Sequence, residues 1–193
     1  MNVESRRDRF ADALESLGVT LAWTTPEEFE ETLESLTRAP VVGTPLPFDG
    51  VSLPEWVDDR PTPATLESAA TGVTGAAYAI ADYGSVVLPV TPDASEQVSL
   101  FPDHHVAVVA EGDLLPDMGT ALERLGPRLR RGESAIIATG PSATADMGSL
   151  VRGAHGPQST AVVVLKGTKT TITSERTAKT ATGERGTTGD DDA

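Results

Sequence analysis

The sequence predicts an α/β fold, a layered mixed or mostly parallel sheet flanked by helices, and three observations lead there. Short runs of β-branched and apolar residues recur along the chain, bounded by Gly, Pro and Asp. Between several of them lie segments of helical length whose apolar residues repeat every three or four positions, the spacing of a helix with one buried side. Finally, Ala135-Ile136-Ile137-Ala138 and Ala161-Val162-Val163-Val164-Leu165 are near-continuous apolar runs, as expected of parallel strands covered on both faces.

Taken in order, Ser5 to Leu17 places Phe10, Ala13, Leu14 and Leu17 on one side of a helix that Gly18 closes. Val19 to Trp23 reads as a short strand. Thr25-Pro26-Glu27-Glu28 reads as a capping box with proline at the first helical position, which predicts a helix to about Thr37 with Phe29, Leu33 and Leu36 buried. Val41-Val42 fits a short strand. Gly43 to Pro63 carries five prolines and reads as an irregular connection, with Trp56 as its anchor. Thr65 to Ala70 reads as a short helix. From Val73 the pattern is extended, Val86 to Val90 is a strand, and the segments on either side of Asp82-Tyr83-Gly84-Ser85 are suited to a hairpin. Thr91 to Pro102 reads as polar loop and His105 to Ala110 as a strand. A helix follows from about Pro116 to Leu125 or Leu129, with Met118, Leu122 and Leu125 inward. Between the two apolar runs named above, a short helix is expected, with Ser142 as N-cap, Asp146 near the positive end of the helix dipole, and Gly153 as the stop. The expected organisation is a single domain over residues 1–166, made of an N-terminal helical region (1–60) and a motif-bearing core (60–166). The polar segment 167–193 is expected to be a disordered tail.

Composition narrows the function. The chain has 193 residues, 29 Asp and Glu against 15 Lys and Arg, and a formal net charge of −14. Its lysines are Lys166, Lys169 and Lys179. Such a surface disfavours nucleic acid and anionic lipid, both of which need basic patches. Acidic, lysine-poor composition with strand-forming runs intact points to a halophilic protein of a salt-rich cytoplasm. The absence of cysteine excludes disulfides, thiolate nucleophiles, and zinc or iron–sulfur clusters held by cysteines of this chain. No apolar stretch is long enough to span a bilayer, and the arginines near Met1 precede no signal-peptide core, so no membrane insertion is expected and the location is cytoplasmic.

Chemistry concentrates in a few stretches. All three histidines, His104, His105 and His155, lie in or beside them. His155, between Ala154 and Gly156-Pro157, has two readings: a positioned acid, base or ligand donor, or a ring that ties a turn together. Asp146 is a candidate carboxylate that helix capping also explains, and Ser142 reads as a cap, since no nucleophile elbow surrounds it. Gly140 to Thr144, at the end of a strand and the start of a helix, presents backbone N–H groups to an anion, although Pro141 removes one. Asp82, Gly84 and Ser85 either complete a pocket or serve a turn. A metal site from His104, His105 and a carboxylate is disfavoured, because adjacent side chains of a strand point to opposite faces. A helix from Ala143 to Arg152 would rise about 15 Å and separate Ser142 from His155.

Gly140-Pro141-Ser142-Ala143-Thr144-Ala145-Asp146, followed by Gly153-Ala154-His155-Gly156-Pro157, resembles the signature of the LUD domain, the lactate-utilization family, in its LutC/YkgG-type branch. Gly72 to Ser85, with Ser99-Leu100-Phe101-Pro102-Asp103-His104-His105 behind it, resembles it independently. The resemblance covers roughly 60–166 and implies a fold similar to the sugar-phosphate isomerase and CoA-transferase-like (NagB/RpiA-like) group. It implies a subunit of an L-lactate oxidation system whose partners are Cys-rich iron–sulfur proteins, with the clusters in those partners and no redox centre in this chain. The other reading is a stand-alone small-molecule binder or enzyme for a phosphate, thioester or carboxylate, using Asp82, Gly84, Ser85, Gly140, Ser142, Thr144, His155 and Gly156. The chain departs from the family pattern at Tyr83 and Ser85, where threonines are common, and at Ala143 and Gln158, where basic residues are common. The latter weakens the case for an anion there.

Overall fold

The computed structural model describes residues 3–146 and 149–171. Its elements are α1 (Val3–Ser16), β1 (Thr20–Thr24), α2 (Phe29–Leu36), β2 (Val41–Gly43), α3 (Pro63–Ser68), β3 (Thr71–Gly75), β4 (Tyr78–Ile80), β5 (Ser85–Pro89), α4 (Ser95–Leu100) and β6 (His104–Ala110). A 3-10 turn at Glu111–Asp113 leads to β7 (Leu114–Leu115), α5 (Met118–Arg130), β8 (Ala135–Thr139), β9 (Ala143–Asp146), β10 (Ser149–Arg152) and β11 (Ser159–Leu165).

Five strands form the main sheet in the order β1-β11-β6-β3-β2, every pair parallel. The expected class is therefore realised. Residue alternation along β6 and β11 decides what each face meets. Ala107, Val109, Val162 and Val164 turn to one side and pack with Phe10 and Leu14 of α1 and with Ala79, Val86 and Leu88 of a second sheet. Val106, Val108, Val163 and Leu165 turn to the other, against Phe29 and Leu33 of α2 and Phe48, Val51 and Val57 of the proline-rich connection. Each large aliphatic buried this way contributes roughly 1.5–3 kcal/mol. The second sheet runs β7-β4-β5-β8, with β4–β5 and β5–β8 antiparallel, so the run Ala135 to Ala138, expected as a parallel strand covered on both faces, is instead an antiparallel strand at the end of this sheet, with Ile137 exposed. Its far face is covered by α5 through Ala121 and Leu125.

Several expectations are corrected. Ala143 to Arg152 is an antiparallel strand pair, β9 with β10, and not a helix. Alanines favour a helix locally, but Thr144 faces Val151 across the pair, and Ser142 closes the ends by backbone bonds: Gly153 N–H to Ser142 C=O at 3.0 Å and Ser142 N–H to Pro157 C=O at 2.9 Å. Ser142 is therefore no N-cap, Asp146 ends a strand, and Gly153, at φ +83°, follows β10 with a backbone that only glycine adopts freely. The loop expected over Thr91 to Pro102 contains α4, held by fully buried Val98 and by the Ser95 hydroxyl, which accepts from Thr91 N–H and donates to Pro89 C=O. The second helix begins at Phe29, and its Glu28 N-cap makes no side-chain capping bond, because the turn at Thr25 to Glu28 precedes it. Trp56 is exposed and donates from Nε1 to Glu30 at 3.3 Å; Phe48, Val51 and Val57 do the anchoring. On α5 Leu122 is exposed and Ala121 takes the inward place. Of the expected tail, 172–193 lies outside the described residues; Thr168 and Thr171 bond to Asp49 and Pro47 of the proline-rich connection.

Candidate functional site

The strand pair β9–β10 carries the chain out and back, so the two signature stretches that a helix would have separated meet. His155 donates its backbone N–H to Ser142 Oγ at 3.3 Å. A Cβ on Gly156 would come 3.3 Å from Ser142 Cβ, so the glycine permits this approach. The His155 side chain is exposed, and Thr144 is half-buried on β9. Gly140-Pro141-Ser142 leads into a strand, and the Ser142 N–H is spent on Pro157. The helix-terminus cradle expected at Gly140 to Thr144 is thus not formed.

The ladder between β5 and β8 assembles the rest. Ser85 lies opposite Thr139, their hydroxyls 2.7 Å apart. Gly84 and Gly140 sit one residue beyond, at φ +62° and +72°, Gly84 against Ala13 of α1 and both against Leu17 in the turn that follows it. Asp82 is ion-paired with Arg9 of α1, which fixes the β4–β5 turn against that helix. Between these glycine turns and the main sheet lies a cavity of about 20 Å³ bordered by Gly84, Gly140, His105 and Thr160. That is the size of a water site.

His105 and Thr160 are register partners on β6 and β11 and face this cavity side. His105 Nε2 lies 2.8 Å from Thr74 Oγ1 on β3. Burial, and then the neighbouring His104, pushes the His105 imidazole down to about 3, so the ring is neutral near pH 7. Thr160 Oγ1 is buried with no hydrogen-bond partner among the described residues. The cavity therefore offers a neutral imidazole and an unused hydroxyl between apolar walls, a setting for a small polar group rather than for a bare charge. His104 turns to the opposite face, where Nδ1 lies 2.8 Å from Ser159 Oγ and burial, with Arg38, lowers its pKa. Alternation along a strand foretold this separation. Among the described residues no group of three or more His, Asp or Glu is placed to hold a metal.

Of the residues singled out in the sequence, Gly84, Ser85 and Gly140 come together at one end of the β5–β8 ladder. Ser142, His155 and Gly156 come together at the base of β9–β10, and Gly140-Pro141-Ser142 joins the groups. Thr74, Thr139, Thr160 and Arg9 were missed. The local signal for Thr160 was only its place before an apolar run.

The LUD domain family model matches residues 54–165. "Lactate utilization protein C" of Deinococcus radiodurans is 33% identical over 127 residues, 64% of this chain and 59% of that protein. The Bacillus subtilis protein of the same name is 30% identical over 126 residues, 62% and 52% of the two chains. YkgG of Escherichia coli, described as uncharacterized, is 31% identical over 105 residues, 52% and 46%. The chain spans about half the length of the curated relatives it matches. A solved structure, a duf162 family protein from Deinococcus radiodurans, superposes with a TM-score of 0.64 at 21% identity, over 86% of this chain and 99% of that one, and shows the shared fold. With its family model matched over more than half its length and relatives named lactate utilization protein C among its matches, the chain belongs to the LUD domain family, in its LutC-type branch.

Proposed function

We propose that this chain is a LutC-like subunit of a lactate-utilization system that oxidises L-lactate to pyruvate in the cytoplasm, and that it carries no redox centre itself. The observation that supports this most is the match, over 127 and 126 residues, to proteins named for lactate utilization. Removing a hydride equivalent from lactate requires an acceptor. A chain without cysteine has no thiolates to hold an iron–sulfur cluster, so such clusters belong to Cys-rich partner subunits in this reading. The test is affinity capture of the tagged chain from lactate-grown cells at high salt, with iron and lactate-dependent dye reduction assayed on the eluate. Co-eluting iron proteins that reduce the dye are expected; an iron-free, inactive eluate overturns the subunit reading.

A second reading is favoured by the cavity, where Thr160 Oγ1 has no hydrogen-bond partner among the described residues and His105 is neutral beside the signature glycines. Here the chain is a stand-alone binder or enzyme, and a small carboxylate, phosphate or thioester sets one polar atom at Thr160 and His105. Expected is a rise in melting temperature in KCl with lactate, a sugar phosphate or coenzyme A, lost in Thr160→Val. Indifference to all three ligands counts against it, and an unchanged response in Thr160→Val moves the ligand elsewhere, His155→Ala being the next variant.

A further inference from the structure

All three signature stretches reach one cavity. Gly84 stands near the end of the first, His105 ends the second and Gly140 begins the third, while Thr160, three residues past Pro157, supplies the fourth corner. They are far apart in the chain, and the pairing of β5 with β8 and of β6 with β11 brings them together.

Size and charge limit what the cavity can hold. A volume of about 20 Å³ takes one water-sized group and no more. Apart from His105 and Thr160 its walls are aliphatic or glycine, and no carboxylate, ammonium or guanidinium borders it. An ion there would be buried without a counter-charge.

Polar atoms nevertheless converge on it. Thr160 Oγ1 is sealed from solvent with no partner among the described residues. Thr74 meets Nε2 of His105, which leaves Nδ1 as the ring nitrogen available to the cavity. The main chain adds a third group. Val90 N–H donates to Ser134 C=O, so the bonded pairs that follow along the β5–β8 ladder are Leu88 with Ile136 and Val86 with Ala138, and Gly84 with Gly140 would be the next. Both glycines turn to left-handed φ instead, and among the described residues no main-chain bond joins them. Gly84 is buried, and a buried peptide group almost always finds a partner. Two to four polar partners are what a buried water requires, and a water both donates and accepts, as the Thr160 hydroxyl and a neutral imidazole also can.

We propose that one water molecule is a permanent part of this fold, held by Thr160 Oγ1, His105 Nδ1 and the peptide group of Gly84 where the β5–β8 ladder opens. It completes the hydrogen bonding that the two sheets leave undone, and it ties the three signature stretches into one unit. At Gly84, His105 and Gly140 the signature is thus a hydration site. The proposal stands apart from the second reading above: a ligand atom that reaches Thr160 has to displace this water, but the water needs no ligand.

The test is a high-resolution crystal structure of the full chain in KCl, with water-to-amide cross-relaxation measured by NMR on the same unaltered protein. Expected are one fully occupied water within about 2.7–3.2 Å of Thr160 Oγ1 and of His105 Nδ1, and a cross-peak from a long-lived water to the Gly84 amide. Thr160→Val keeps the shape and removes the hydroxyl, so the water and its cross-peak should both be lost; Thr160→Ser should keep them. A dry cavity without a cross-peak in the unaltered chain overturns the proposal, as does a peak that anomalous scattering identifies as potassium. A cross-peak that persists unchanged in Thr160→Val overturns the site as drawn. A small molecule carried through purification in the cavity overturns the water and supports the second reading instead. Conversely, a bound water with no melting response to any ligand leaves this proposal standing and removes that reading.

Discussion

His105 shows how one side chain turns sequence into pH dependence. Its ring is 3% exposed and its pKa lies near 3, well below the ordinary value of 6.5. The unfolded chain binds the proton that the folded ring refuses, so stability falls as pH drops below about 6.5 and goes on falling until about 3. One such group costs roughly 2 kcal/mol at pH 5 relative to pH 7.5. Melting curves over that range should show the loss, with His104 adding to it in the same direction, and His105→Gln should flatten it. An unchanged slope in that variant would sink the assignment. Gly72 is the complementary case, because a methyl there would collide with the Val98 carbonyl of α4. Gly72→Ala should cost about 1–3 kcal/mol in thermal melts, the usual range for overpacking. The opposed directions of His104 and His105 were legible in the sequence, since adjacent residues of a strand always diverge. That Thr160 stands beside His105 was not, because a register between strands so far apart in the chain has no local signature.

At the scale of elements, the segment from Ala143 to Arg152 is where local propensity and the fold disagree. Its alanines read as helix, and the structure pairs the segment as two strands because Ser142 bonds to both Gly153 and Pro157. Ser142→Ala removes only the acceptor of the His155 N–H, so it should cost about 0.5–1.5 kcal/mol. Gly153→Ala should do more, because φ there is +83° and a methyl would strike the Gln158 side chain. In both variants amide exchange should quicken first at Gly153 and His155, while β6 and β11 keep their protection. Equal acceleration throughout would mean that the pair is no separate unit. The same tension explains α4. A run with one apolar residue per turn reads as loop, and becomes a helix only because Val98 finds a buried place between β2 and α3.

At the scale of the whole molecule, charge and layering govern behaviour. A net charge of −14 on 193 residues works against the compact state at low ionic strength. We expect the melting temperature to climb steadily with KCl and to keep climbing beyond the range where simple screening saturates. A flat salt profile would remove the halophilic reading. The α/β class, the strands of the parallel sheet, the two glycine-rich stretches and the absence of cysteine ligands could all be read from the chain before it folds. They follow from periodicity, composition and residue chemistry, which are local. It takes the folded molecule to bring Ser142 to His155, to set Gly84 and Gly140 around one cavity with His105 and Thr160, and to leave β8 as an open edge. Each depends on which strands pair and in what register, and pairing is settled by how the layers bury their apolar faces together rather than by any one segment.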